Sequence, residues 1–176
     1  MRALALLLLA GGLAGCAANG GSSAGASTAE RPVAMADLAD ASGAARGTAR
    51  LFQADGGLRL VYDGTGLPAS VHGIHIHTTG RCDAPDFTTA GGHWNPTQRK
   101  HGTESPEGPH GGDMPNLTAA ADGTTSFTSM LTGATVPGML DADGAALLVH
   151  ATADDYRTDP SGNSGARIAC GVIRAS

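Results

Sequence analysis

At 176 residues, with 41% hydrophobic and 3% aromatic content, the chain suits one domain with a modest core. Its 27 glycines favour short strands joined by turns over packed helices. A formal charge of -5 and a single lysine, Lys100, leave no basic patch and argue against nucleic acid as a partner.

Residues 1–15 read as a signal peptide. Met1 and Arg2 form a short charged start, residues 4–10 an apolar run too short to span a bilayer, and Leu13-Ala14-Gly15 a small-residue cleavage site before Cys16. This quartet resembles a bacterial lipoprotein signal. The resemblance implies that Cys16 is lipidated, becomes the new N-terminus and anchors the chain to a membrane, in the periplasm of the cell envelope. An ordinary secretory signal would also export the chain. Residues 16–32 are then the lipidated cysteine and a tether rich in Gly, Ser and Ala, and residues 33–176 are the folded domain. With Cys16 set aside, Cys82 and Cys170 remain as a pair that an oxidising compartment lets join. Such a bridge would restrain the unfolded chain by roughly 4 to 5 kcal/mol in the chain-entropy account.

Residues 46–53 and 58–62 are short, partly alternating segments around Asp55-Gly56-Gly57, the pattern of a hairpin. Residues 70–77 form a third predicted strand. Residues 78–116 carry no period at all, and a loop of that length in a compact domain needs metal or a disulfide to order it. Further strands are expected at 126–131, 145–150 and 167–173, with a second polar loop over 152–165. No helix-length stretch with a 3.6-residue period follows the signal. The expected class is all-β, a sandwich or barrel with long functional loops.

The chemistry concentrates between residues 73 and 113, in GIHIH, GGHWNP, KHG and GPHGGD. Alternation on a strand puts His75 and His77 on one face and Ile74 and Ile76 on the other, so one face can bind metal while the other fills a core. His72 falls on the isoleucine side by the same parity and is excluded as a ligand. His93, His101, His110 and Asp113 follow on the loop, and His150 ends an apolar strand where the second loop begins. Imidazoles suit copper and zinc, and a carboxylate among them suits a tetrahedral zinc site. Two four-coordinate metals need eight positions, so these seven residues suffice only if one is shared.

In this order and spacing, GIHIH, GGHWNP, KHG, GPHGGD, LLVH, ADD and GNSGARIACGVI resemble the copper/zinc superoxide dismutases from about Val33 to Ile173. The resemblance implies an eight-stranded antiparallel Greek-key barrel that converts superoxide to dioxygen and hydrogen peroxide. It implies copper on His75, His77, His93 and His150, and zinc on His93, His101, His110 and Asp113, with His93 bridging and taking part in proton transfer. It further implies a Cys82–Cys170 disulfide, Asp154 joining His75 to His101, and Arg167 attracting the superoxide anion. A homodimer is compatible with it. Lys100 and Arg157 are candidates for steering the anion, while His72, Trp94 and Asp155 are assigned to structure. The alternative function is a non-catalytic copper- and zinc-binding envelope lipoprotein.

Overall fold

A computed structural model describes residues 30–176. The expected signal peptide, Cys16 and all but the last residues of the expected tether lie outside the described residues. Eight strands form one antiparallel sheet, rolled into a half-barrel. In chain order the strands are β1 (Ala34–Ala39), β2 (Ala45–Ala54), β3 (Gly57–Gly64), β4 (Val71–His72), β5 (Ile74–His77), β6 (Leu117–Thr118), β7 (Thr125–Thr132), β8 (Ala146–His150), β9 (Arg167–Val172) and β10 (Arg174–Ala175). The large sheet runs β5-β8-β9-β1-β2-β3-β7, with β10 also paired to β1, while β4 and β6 form a separate pair. The connections β3 to β5, β5 to β7 and β7 to β8 all pass between opposite ends of this order, as Greek-key connectivity does. Among the described residues helix is confined to a short 3-10 turn (Thr88–Ala90) and α1 (Val136–Met139). Among the described residues no helix is long and apolar enough to cross a membrane.

The predicted hairpin is present. β2 and β3 pair from Gly47↔Gly64 to Ala54↔Gly57, turning at Asp55-Gly56, where Gly56 takes φ 80°. The expected strand over 70–77 is instead two strands broken at Gly73. Here the backbone leaves one partner for another: Gly73 N–H donates to Thr152 O, and His150 N–H donates to Gly73 O. A Cβ on Gly73 would lie 2.9 Å from Ser164 Cβ and 3.2 Å from His75 Cε1, so the second loop can approach only a glycine.

Leu38, Leu51, Leu58, Leu60, Tyr62, Ile74, Ile76, Leu147 and Val149 fill the interior of the half-barrel. Alternation puts Leu147 and Val149 inward and Ala146, Leu148 and His150 outward, opposite His77 and His75 of β5. The outward face is nonetheless buried. Phe87, Ala90, Ala146, Leu148 and Cys170 form a second apolar cluster there with Cys82. Cys82 and Cys170 are joined, with Cα atoms 5.7 Å apart, so the end of the sheet and the long loop are tied covalently. The outer edge of β5 is covered by the same loop: Ile76 N–H donates to Gly112 O, and Trp94 N–H to Ile76 O.

Candidate metal centre

Strand parity and loop burial together create the centre. His75, His77 and His150 leave the outer face of β5 and β8, and the long loop brings His93, His101, His110 and Asp113 over them. All seven side chains are buried. They form two adjoining groups, His75/His77/His93/His150 and His93/His101/His110/Asp113, with His93 common to both.

The first group is defined by what its nitrogens do not touch. His75 Nδ1 and the Nε2 atoms of His77, His93 and His150 are buried without a hydrogen-bond partner. Four orphaned imidazole nitrogens in one place are costly unless a cation takes their lone pairs. The opposite nitrogen of each ring is engaged: His75 Nε2 with Asp154 Oδ2 at 2.7 Å, His77 Nδ1 with Gly91 O at 2.9 Å, His93 Nδ1 with Asp113 Oδ1 at 2.8 Å, and His150 Nδ1 with Gly165 O at 3.3 Å. For His75, His77 and His150 the acceptor opposite holds the N–H, which leaves the inward nitrogen as a bare lone pair. Burial lowers the pKa of His75 to about 4 and of His150 to about 3, and holds His77 well below its ordinary value. These three neutral rings suit copper, which imidazole nitrogen binds well.

The second group converges on one oxygen. Gly102 N–H and His110 N–H both donate to Asp113 Oδ2, at 2.8 and 3.0 Å. That fixes the carboxylate with Oδ1 toward the Nδ1 atoms of His93, His101 and His110, at 2.8, 3.1 and 3.4 Å. A metal bonded at 2.0–2.1 Å to four tetrahedral donors keeps them about 3.3 Å apart, so this three-imidazole, one-carboxylate set fits zinc. Burial opposes ionising Asp113, but its bonds to His101, His93 and Gly102 outweigh it and hold the carboxyl well below its usual range. For His101 burial opposes charge too, yet Asp113 and Asp154 raise its pKa to about 9.

Asp154 lies behind both groups, with Oδ2 on His75 and Oδ1 on His101 Nε2 at 3.0 Å. Arg167 lines a cavity of about 430 Å³ together with His77, His93, His150, Pro160 and Ser161. Its guanidinium donates to Phe87 O and Gly91 O, both at 2.6 Å. Lys100 and Arg157 are not free cations. Lys100 Nζ is 3.0 Å from Glu107, and Arg157 pairs with Glu104 through Nε at 2.7 Å. His72 stands apart from the cluster, its two ring nitrogens each 2.8 Å from a carbonyl, His150 O and Pro68 O. Trp94 packs over Gly111, and Asp155 closes its own loop by accepting from Arg157 N, Thr158 N and Asn163 Nδ2. Sequence reasoning missed the carbonyls of Phe87, Gly91 and Gly165, because no side-chain pattern announces a main-chain acceptor. It also missed Asn116 and Tyr156, which hold Asp154.

A half-barrel whose outer face buries two cation pockets around one imidazole defines a two-metal β protein. Residues 45–173 match the family model described as copper/zinc superoxide dismutase (SODC). The chain belongs to that family, whose members are oxidoreductases using copper and zinc. It is 39% identical over 145 residues to superoxide dismutase [Cu-Zn] 1 of Aquifex aeolicus, covering 79% of this chain and 86% of that one. It is 46% identical over 112 residues to the superoxide dismutase-like protein YojM of Bacillus subtilis, covering 60% and 57%. Among solved structures, a SOD-like protein from Bacillus subtilis aligns with TM-score 0.75 at 40% identity, over 78% of this chain and 96% of that one. The Cu/Zn superoxide dismutase from Brucella abortus aligns with TM-score 0.66 at 32% identity, over 80% and 98%.

Proposed function

We propose that the chain dismutes superoxide, with copper on His75, His77, His93 and His150 and zinc on His93, His101, His110 and Asp113. The observation that carries this reading is the set of four partnerless buried nitrogens beside a cavity that the Arg167 guanidinium helps to line. Copper supplies the one-electron redox chemistry: one superoxide is oxidised to dioxygen and a second is reduced to peroxide. The protein's part is positioning and proton delivery. Arg167 binds and orients the anion as a permanently charged planar donor. His93 Nε2 takes up a proton from solvent in the first half-reaction and gives it to the second superoxide, which draws its other proton from solvent. The long loop keeps bulk water from the imidazoles, and zinc would hold the Nδ1 side of His93 while Nε2 exchanges its proton.

Export by the signal peptide and anchoring through Cys16 to an envelope membrane belong to the same proposal, supported by the sequence of residues 1–16. A second reading, a non-catalytic copper- and zinc-binding envelope protein, is favoured by the similarity to proteins named superoxide dismutase-like. Metal analysis of the exported chain alongside a superoxide-consumption assay separates the two. One copper and one zinc per chain with rapid dismutation supports the enzyme. The same metal content without dismutation supports the second reading.

A further inference from the structure

Asp154 is gripped by more than the two imidazoles it joins. Its main chain is held on both sides by one primary amide: Asp154 N–H donates to Asn116 Oδ1 at 2.8 Å, and Asn116 Nδ2 donates to Asp154 O at 2.9 Å. Asn116 therefore acts on Asp154 as a neighbouring strand would. Asn116 is fixed in turn by Tyr156, whose phenol oxygen accepts from Asn116 N–H at 2.8 Å. The circuit closes on the carboxylate itself, because Tyr156 N–H donates to Asp154 Oδ1 at 2.6 Å.

Two features indicate that this circuit is imposed by its surroundings. Tyr156 takes φ 64°, left-handed backbone that a bulky side chain adopts only where its surroundings demand it. Gly162, at φ 63°, backs the carboxylate so closely that a Cβ there would overlap Asp154 Oδ1 and lie 2.7 Å from His101 Nε2. Tyr156 also reaches the zinc loop directly, since its carbonyl accepts from Glu104 N–H at 3.1 Å.

We propose that Tyr156 is a positioning residue for both metal pockets: its phenol locks Asn116 onto the Asp154 main chain while its N–H aims Oδ1, so that one carboxylate meets His75 and His101 together. The hydrogen bond of its phenol oxygen goes to Asn116, not to a ligand. The effect passes through Asp154, which sets the orientation of a ring in each pocket. The inference rests on the zinc assignment to His93, His101, His110 and Asp113.

The test uses the metal-free full chain titrated with zinc alone in competition with a chromophoric chelator. Tyr156→Phe deletes only the phenol oxygen and is expected to weaken zinc binding about tenfold, at the lower end of what lost outer partners of metal ligands cost. Circular dichroism and the Cys82–Cys170 bridge are expected to stay intact. Asn116→Ala is expected to reproduce the loss, and combining it with Tyr156→Phe to add less than about twofold, because both act through one circuit. In an Asp154→Ala background, Tyr156→Phe is expected to change zinc affinity by less than about twofold. A merely structural tyrosine would give the same loss with or without the Asp154 carboxylate, and that result overturns the proposal. So does tight zinc binding by the parent chain with no change in Tyr156→Phe or Asn116→Ala. A parent chain that binds no zinc overturns the metal assignment and this inference with it.

Discussion

Arg167 and His77 donate to the same acceptor, the carbonyl of Gly91, from Nη2 at 2.6 Å and from Nδ1 at 2.9 Å. One peptide group therefore sets both the Arg167 guanidinium, proposed to bind the anion, and one ring of the proposed copper pocket. The other arm of the guanidinium holds Phe87 O, so both anchors lie in the segment between Cys82 and His93. Replacing Arg167 by Ala is expected to lower kcat/KM about tenfold or more while copper and zinc content stay unchanged, and Arg167→Lys to recover only part of it. Stopped-flow or pulse-radiolysis rates with parallel metal analysis check this, and loss of metal in Arg167→Ala would mean the arginine serves the pocket instead of the substrate.

Because Arg167 is docked on that segment, the Cys82–Cys170 bridge bears on the proposed substrate site as well as on the fold. Cys82→Ser/Cys170→Ser is expected to lose up to roughly 4 to 5 kcal/mol of stability by the chain-entropy account. Its kcat/KM is expected to drop toward that of Arg167→Ala even when copper and zinc are fully loaded. Denaturant unfolding and rate measurement on the loaded variant test both parts.

His150 is the one proposed copper ligand that belongs neither to β5 nor to the long loop. His150→Ala is expected to abolish dismutation and copper retention while zinc binding changes less than about twofold, since the zinc group does not include it. Full activity in this variant would refute the assignment. Loss of zinc together with copper would show that the two pockets do not form separately.

The two pockets are expected to differ in how metal uptake moves protons. His75, at about 4, and His150, at about 3, are neutral at pH 7, so a cation entering their pocket displaces no proton from them. His101, at about 9, is protonated at pH 7, so zinc entering its pocket displaces about one proton. Zinc affinity is therefore expected to rise with pH, by up to about tenfold per unit, and to level off above pH 9. For the metal-free chain the stability effects have opposite signs. His101 contributes stability that is fully present below the unfolded value near 6.5 and is lost as pH rises through 9. His75 and His150 contribute stability that is present above about 6.5 and is lost as pH falls toward 4 and 3. Calorimetric titration in buffers of different ionisation enthalpy reads the proton release, and equal release for zinc and copper would contradict the scheme.

Lys100 and Arg157 each pair with an exposed glutamate, so neither presents an uncompensated charge to an approaching anion. The double replacement Lys100→Ala/Glu107→Ala is expected to leave kcat/KM and its ionic-strength dependence unchanged within about twofold. A steeper fall in rate would restore a steering role to Lys100.

How much of this was legible in the sequence depended on the kind of contact. The alternation in GIHIH placed Ile74 and Ile76 in the core and both histidines opposite, and the structure has that arrangement because a strand leaves no other choice. β1 was not legible: Ala34, Ala36 and Leu38 alternate inward, but alanine carries little strand preference and the segment shows no apolar contrast. The break at Gly73 was hidden too, since it arises from a second loop that packs on the backbone from some 80 residues away. The clasp of Asn116 and Tyr156 on Asp154 joins segments about 40 residues apart through main-chain groups, which no local pattern encodes.

The account turns on His93 being shared. The most direct measurement is crystallographic anomalous scattering from the metal-loaded chain on either side of the copper and zinc absorption edges. The account predicts two peaks, copper about 2 Å from His93 Nε2 and zinc about 2 Å from His93 Nδ1, on opposite sides of one ring. A single peak, or both metals on the same side of His93, would contradict it.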